Sequence, residues 1–253
     1  MEYIHTVDKC VKVEKTVEEI VPPAFHAYLD VFRKELSEGM PTCKLWDHAI
    51  NLMPDSILGK SKIFLLSLDE CKEMLSFVRD QLQKGYIRPS SSPQTSPMFF
   101  VPKPETTAKR MCTDYRHLNK KTIKNNYPLL LISEMIDRIR DAKVFMKLDL
   151  RWGFNNVRIK EGDEWKAGFT CHEGVFEPLV MYFGLTNSLS TLQTMMDALF
   201  FDMGACVMVY MDNILIYTKA EEGHDKIVLQ VLKYFRRMIC LSKQRNANLK
   251  SEL

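Results

Sequence analysis

The chain has 253 residues and a mass of 29.5 kDa, enough for one large domain or two small ones. With 46% hydrophobic, 26% charged and 10% aromatic residues, its composition is that of a soluble globular protein and excludes a disordered, collagen-like or coiled-coil chain. No run approaches ~18 consecutive apolar residues, and the first residues lack an apolar signal core, so we predict an intracellular protein, cytoplasmic or nuclear, without a membrane span. The seven cysteines include no CxxC pair, which favours reduced thiols over a disulfide framework or a zinc module.

Basic residues are concentrated in one part of a chain whose net charge is only +3. Residues 101–160 contain 14 Lys or Arg against 6 Asp or Glu, so this stretch carries +8. A clustered positive surface is expected of a protein that binds a phosphate backbone, although scattered solvated lysines would give the same count.

The first part of the chain is predicted to be an irregular lead-in over residues 1–60, with a short helix between Val21 and Leu36. The first firm helix begins at Ser67, which forms a capping box with Glu70, and it stops at Gly85. A loop rich in Ser and Pro follows. It leads into a predicted β-hairpin made of residues 98–101 and 110–115.

The rest of the chain is predicted to alternate between helices and strands, which indicates a mixed α+β fold. Ser133 is placed to cap a helix that runs to Arg140. An apolar strand then ends at Asp149, and a later tight hairpin carries Asp212 and Asn213 at its tip. The remaining predicted elements are strands within 156–181, a helix from 188 to 200, hairpin strands at 206–211 and 214–217, a last helix through 235, and a polar tail over 241–253 that is not committed to helix.

Two carboxylates at strand ends, Asp149 and Asp212, are roughly 60 residues apart and could hold metal ions beside a substrate phosphate. Taken alone, each Asp is more simply a turn former. Other chemistries find less support: residues 59–61 resemble the end of a phosphate-binding loop, but Pro54 stands where that loop needs Gly. No GxSxG or HExxH motif occurs, and no His has metal-ligand spacing.

Five ordered motifs resemble the reverse transcriptase of gypsy-type long-terminal-repeat retrotransposons. They are RMCTDYRHLN at 110–119, IKNNYPL at 123–129, KLDLR at 147–151, FGLTN at 183–187 and YMDNILIY at 210–217. Upstream, a shorter match begins at Trp46 and includes His48. The resemblance covers residues 20 to 240 and implies a right-hand polymerase fold, with fingers and palm interleaved over 61–240 and an antiparallel palm sheet packed on helices.

The resemblance also implies a chemistry, namely template-directed addition of deoxynucleotides to a primer on an RNA or DNA template. In this family three palm carboxylates bind two Mg²⁺ ions, for which Mn²⁺ can substitute. Asp149 and Asp212 resemble the first two, and both are expected to be metal ligands. The residues that the resemblance places at the incoming nucleotide are Lys103, Arg110, Phe154, Phe183 and Gly184.

The third carboxylate position is occupied by Asn213, so the ligand charge falls from −3 to −2. The pattern also ends near Phe235, without a recognisable thumb. Both departures predict a degenerate or truncated copy with weakened activity. The alternatives are a catalytically inactive nucleic-acid-binding remnant and a product that does not fold stably. Asn187, in the fourth motif, could equally serve as a helix cap.

Overall fold

A computed structural model describes residues 16–33, 39–41, 46–56, 59, 62–102, 109–150 and 152–249. The lead-in contains α1 (Val17–Ile20), a 3₁₀ helix (Pro23–Tyr28) and α2 (Leu29–Phe32). The helix predicted after the two prolines is therefore present, but it consists of a 3₁₀ part followed by an α-helical part that ends at Phe32. Phe25 in this segment is buried in the main core, which ties the lead-in to the domain.

The helix α3 (Leu68–Gln83) confirms the predicted start and stop signals. The Ser67 hydroxyl accepts a hydrogen bond from the Glu70 amide at 3.3 Å, and the Glu70 carboxylate accepts one from the Ser67 amide at 2.8 Å. Gly85 follows with a φ of 70°, the left-handed conformation that ends many helices.

A five-stranded sheet packs against α3 and has the strand order β1-β6-β5-β2-β3. Its strands are β1 (Ile87–Pro89), β2 (Ser96–Pro102), β3 (Lys109–Thr113), β5 (Phe169–Cys171) and β6 (Gly174–Pro178). The antiparallel β2–β3 pair confirms the predicted hairpin, whereas β2 and β5 pair in parallel. The short strand β1 is not predicted by the sequence pattern. Within 156–181 only β5 and β6 are strands, and Glu164–Ala167 is a 3₁₀ helix.

A second, three-stranded antiparallel sheet has the order β4-β8-β7. Its strands are β4 (Val144–Asp149), β7 (Val207–Tyr210) and β8 (Asn213–Thr218). Side chains of β4 alternate between half-buried and exposed, so Phe145, Lys147 and Asp149 share the exposed side. The apolar β-type runs of the sequence thus form the strands that were expected to carry the two carboxylates.

Four further α-helices complete the described fold: α4 (Arg116–Lys121), α5 (Ile132–Ile139), α6 (Ser188–Leu199) and α7 (His224–Leu249). The prediction that Ser133 caps α5 is wrong, because the helix begins at Ile132 and the Glu134 carboxylate accepts the Leu131 amide at 3.3 Å. The prediction of an uncommitted tail is also wrong, since α7 continues to Leu249. None of the helices in the described residues is long and apolar enough to cross a membrane.

Two clusters of buried apolar side chains hold the described residues together. The larger one joins α6, α7 and the three-stranded sheet to the lead-in. The smaller one lies between α3 and the five-stranded sheet and contains Met74, Val78, Ile87, Met98, Phe169, Cys171 and Phe176. Both carboxylates predicted to bind metal therefore stand on elements anchored in the larger cluster.

Candidate active site

Asp149 and Asp212 meet at one end of the three-stranded sheet. Asp149 is the last residue of β4 and lies opposite Asn213, the first residue of β8. Asp212 directly precedes Asn213 in the turn from β7, and the Leu150 amide donates a hydrogen bond to the Asp212 carbonyl at 2.9 Å. The Asp149 side chain is exposed and that of Asp212 is half-buried. Two residues 63 positions apart are thus fixed on adjacent strands by the backbone pairing.

The backbone around the two carboxylates is closely packed and partly strained. A Cβ atom on Gly153 would lie 3.4 Å from Leu150 Cβ and 3.7 Å from Asp212 Cβ, so the segment after β4 runs against the β7–β8 turn. Trp152 and Met211 adopt left-handed φ values of 53° and 60°. Such conformations are unfavourable for residues with a side chain and concentrate at functional sites.

Asn213 takes part in the site through its amide. Its Nδ2 donates a hydrogen bond to Asp212 Oδ1 at 3.1 Å. The side chain can still offer a carbonyl oxygen, so the donor set comprises two carboxylates and one neutral oxygen. These hard oxygen donors suit a hard divalent cation such as Mg²⁺, with one negative charge fewer than three carboxylates would supply. In the described part of the chain no group of three or more His, Cys, Asp or Glu side chains is placed to hold a metal ion.

An aromatic pair involves the segment that follows β4. Phe154 belongs to the 3₁₀ helix Gly153–Asn156 and is 6% exposed, whereas Phe183 is 71% exposed. Their ring centroids are 4.1 Å apart and the ring planes are tilted by 52°. Phe183 therefore presents the open ring, and Phe154 supports it from below.

The loop that carries Phe183 is held by Asn119. Its Nδ2 donates to the Gly184 carbonyl at 2.6 Å, and its Oδ1 accepts the Thr186 amide at 2.9 Å. Gly184 has a φ of 100°, and a Cβ there would lie 3.5 Å from Tyr115 Cδ2. Glycine is thus required by backbone conformation at this position. The two hydrogen bonds of Asn119 thus join the first motif, which ends at this residue, to the fourth motif, which contains Phe183 and Gly184.

The basic residues expected at the nucleotide triphosphate are only partly described. Arg110 lies on β3 opposite Val101, is exposed, and makes no ion pair with another described residue. Its neighbour Lys109 is engaged by Glu70 at 2.7 Å, and this hydrogen-bonded ion pair lowers the pKa of Glu70 to about 2. Lys103 lies outside the described residues. Arg110 is therefore the described basic side chain available on this hairpin for an anionic ligand.

The upstream segment at 46–50 packs onto the same domain. His48 pairs in a parallel bridge with Ile159, and its Nδ1 lies 2.9 Å from Thr191 Oγ1. Thr191 donates its own proton to the Asn187 carbonyl at 3.0 Å, so His48 Nδ1 is the donor in their contact. Burial lowers the pKa of His48 to about 4, although the nearby Asp163 carboxylate opposes this shift. His48 is therefore neutral near pH 7.

Asn187 lies at the first cap position of α6, but its side chain does not cap the helix. Its Oδ1 accepts the Asn125 amide at 3.0 Å, and its Nδ2 donates to the Ile123 carbonyl at 2.8 Å. The amide thus ties the second motif to the fourth. The alternative prediction of a helix cap is correct for the position of Asn187 and wrong for its hydrogen bonds.

Sequence patterns missed one group beneath the site, formed by Gln193, Asp197 and Tyr127. Gln193 is 3% exposed and hydrogen-bonds both Asp197 and the carbonyl of Val209 in β7. Asp197 also accepts the Tyr127 hydroxyl at 2.7 Å. The available signal was Gln193 and Asp197 four residues apart on a helix that also contains four Ser or Thr residues, and that spacing does not identify a distant partner.

Residues 101–243 match the family described as reverse transcriptase (RNA-dependent DNA polymerase). Relatives include two polyproteins of Schizosaccharomyces pombe, those of transposons Tf2-7 and Tf2-3, which are 33% and 32% identical to this chain over 248 residues. Each alignment covers 97% of this chain, which spans only 18% of the length of the relative.

Solved structures show the same fold. The native prototype foamy virus protease-reverse transcriptase matches with a TM-score of 0.73 and 22% identity over 85% of this chain and 28% of that chain. A foamy viral protease-reverse transcriptase in complex with an RNA/DNA hybrid matches with a TM-score of 0.65 and 21% identity over 78% of this chain and 26% of that chain. The predicted α+β polymerase fold is confirmed. The chain belongs to the reverse transcriptase (RNA-dependent DNA polymerase) family.

Proposed function

We propose that this domain catalyses RNA-directed DNA synthesis, extending a primer with deoxynucleotides, and that Asn213 makes it a weak polymerase. The observation that carries the proposal is the pairing of β4 with β8, which brings Asp149 beside Asp212 and Asn213. Membership of the family supplies the reaction class. The structural relative bound to an RNA/DNA hybrid supports a primed template as the substrate of this chain.

Asp149 and Asp212 would hold divalent metal, with the Asn213 carbonyl as a weaker donor. When bound, two Mg²⁺ ions supply charge that favours ionisation of the primer 3′-hydroxyl and stabilises the departing pyrophosphate. Asp149 is exposed and so remains open to ligands, while the half-buried Asp212 is oriented by the Asn213 amide. These two carboxylates orient the reacting groups.

The other proposed contacts bind the nucleotide. Phe154 is the ring expected against the nucleotide sugar, and Phe183, whose ring centroid lies 4.1 Å from that of Phe154, is expected beside the nucleotide and template. Arg110 can meet a triphosphate with a bidentate fork, and Lys103 adds a point charge. An aromatic wall at the sugar would exclude a 2′-hydroxyl and so favour deoxynucleotides.

Asn213 decides how fast this site can work. Loss of one full negative charge weakens the hold on a strongly hydrated cation, and the Asn213 amide also occupies an oxygen of Asp212. If the charge contributes ~3 kcal/mol to the transition state, its absence costs more than a hundredfold in rate.

Primer extension on an RNA template, with Mg²⁺ or Mn²⁺, tests this proposal. The Asn213→Asp variant should extend at least about a hundredfold faster than the unmodified chain, and Asp149→Asn should abolish extension. Gln83→Glu, which adds the same charge at an exposed position near the end of α3, should change nothing. If Asn213→Asp extends no better than the unmodified chain, the charge argument is wrong.

A second candidate function is nucleic-acid binding without catalysis. It is favoured by the excess of 14 basic over 6 acidic residues in 101–160 together with Asn213. Binding of a primed template that weakens steeply with salt, with no extension even by Asn213→Asp, would support this candidate. A cooperative thermal melt would separate both functions from the third alternative, a chain that does not fold stably.

A further inference from the structure

Strand β7, which leads into the turn that carries Asp212, has an open edge. Among the residues that the structure describes, the strand order β4-β8-β7 leaves β7 with a strand neighbour on one side only. Backbone groups on an edge need other partners when they are buried, because an unmet buried carbonyl destabilises the fold. Val209 is 4% exposed, and its carbonyl accepts a hydrogen bond from Gln193 Nε2 at 3.2 Å. A side chain of α6 thus supplies, at this edge, one hydrogen bond that a neighbouring strand would otherwise make.

Packing alone does not fix β7 on this side. A cavity of about 330 Å³ opens there and is bordered by Val207, Met208 and Val209, together with Tyr127 and Asp197. Atoms that face an open pocket have no protein atoms to contact on that side. The position of the strand next to the cavity therefore depends more on its hydrogen bonds than it would in a filled core.

Gln193 is itself held by a further pair of groups. The same Nε2 donates to Asp197 Oδ1 at 2.9 Å, and Asp197 Oδ2 accepts the Tyr127 hydroxyl at 2.7 Å. The hydrogen bond to Asp197 raises the pKa of Tyr127, which keeps the phenol a donor at neutral pH. Tyr127 lies in the segment between α4 and α5 that Asn187 also ties down through Asn125.

From this connectivity we infer that Gln193, Asp197 and Tyr127 are positioning residues that set the place of Asp212 by holding the Val209 carbonyl. Val209 is three residues before Asp212, and only Tyr210 and the strained Met211 intervene. A shift of β7 along its open edge would carry the turn with it and change the separation of the two carboxylates. The inference rests on the proposed function of Asp212 as a metal ligand.

Hydrogen exchange of the amides at 207–213 tests the inference on the chain as it is, without needing catalysis. Gln193→Met keeps the side-chain volume and removes both hydrogen bonds, and it should speed exchange in this hairpin about tenfold. Tyr127→Phe should have a smaller effect, about threefold, and little further effect when Gln193 is already Met. Asp197→Asn retains an acceptor for Tyr127 and should restore most of the protection lost in Asp197→Leu.

A control variant separates positioning from general stability. Tyr182→Phe removes a phenol that donates to Gln81 at 2.6 Å, away from β7, and should leave exchange at 207–213 unchanged. If Gln193→Met speeds exchange equally throughout the domain, or not at all in the hairpin, the inference is overturned.

Binding of Mn²⁺, measured by the paramagnetic resonance of the free ion, gives the second measurement. The Gln193→Met and Tyr127→Phe variants should bind Mn²⁺ more weakly than the parent chain, whereas the Tyr182→Phe control should bind it as the parent does. If the parent and its Asn213→Asp variant both fail to bind Mn²⁺, the proposed function fails, whereas the exchange experiment still decides the role of Gln193.

Discussion

The two sheets of the described residues pack on apolar clusters of different size, and the carboxylates stand at the end of the sheet with the larger cluster. The three-stranded sheet rests on α6 and α7 and shares the larger apolar cluster with the lead-in. The five-stranded sheet, which carries the exposed Arg110, rests on α3 through a smaller cluster. We therefore expect the proposed metal ligands to lie on the more stable part of the fold, and Arg110 to lie on the part that unfolds at a lower free-energy cost.

The largest expected effect on stability comes from truncating one buried side chain in each of the two apolar clusters. Leu192 is fully buried in the larger cluster, and its Cδ2 atom lies 3.8 Å from a Cβ built on Gly153. Leu192→Ala should lower the free energy of unfolding by about 4 kcal/mol, and Met74→Ala, in the smaller cluster, by about 2 kcal/mol. Urea titrations followed by circular dichroism measure both, and equal losses would contradict the comparison.

Acid should weaken the larger cluster through His48. Its pKa in the folded chain is about 4, below the ordinary 6.5, so the neutral form stabilises the fold above pH 6.5 and this contribution is lost as the pH falls toward 4. The difference corresponds to about 3 kcal/mol. Urea titrations at pH 7 and pH 4.5 should show a smaller acid loss in His48→Asn than in the parent. His172→Asn, at an exposed position, should keep the full loss.

The left-handed backbone conformation of Met211 is expected to reduce the stability of the three-stranded sheet. Because Met211 has a φ of 60°, Met211→Gly should raise the free energy of unfolding by about 1 kcal/mol. The same variant should extend a primer more slowly, since the turn would lose its fixed shape. Lys147→Gly, at an extended and exposed position of β4, should instead lower stability. A Met211→Gly protein that melts below the parent would show that the turn is not strained.

The smallest expected effect concerns the start of α3. Ser67→Ala removes the hydroxyl of the capping box and should cost about 1 kcal/mol, mainly in the part that carries the smaller cluster. Ser76→Ala, at an exposed position within the same helix, should be neutral or slightly stabilising. Thermal melts of the two variants provide the measurement, and a matching loss in both would argue against the capping role.

Local patterns in the sequence predicted the elements whose causes are local. The capping box at Ser67, the glycine stop at Gly85 and the apolar runs of β4 and β8 are each defined by neighbouring residues, and all are present. Motif order then identified the family. The same motifs point to both carboxylates and to Phe183, and they do so without information on how the strands pair.

Features that depend on distant partners were not predicted. Strand β1 has three residues, Ile87–Pro89, and becomes a strand only by pairing with β6. Phe154 was expected at the nucleotide, but its burial under Phe183 depends on where a separate loop lies. Gln193 could not be interpreted either, because its acceptor Val209 lies on another element. The roles of the site residues in binding metal and nucleotide stay predictions.

The lead-in also has a consequence for the order in which the chain can fold. His48 contacts Thr191, and Ile50 donates its amide to Asp163 at 2.8 Å, so this segment joins the domain through contacts 143 and 113 residues away in sequence. Contacts of this range slow folding, since a long loop must close before they form. During synthesis, roughly 10 seconds separate the emergence of His48 from that of Thr191. Until then the lead-in lacks its contacts with α6, so completion of the larger cluster is a late event in the life of the nascent chain.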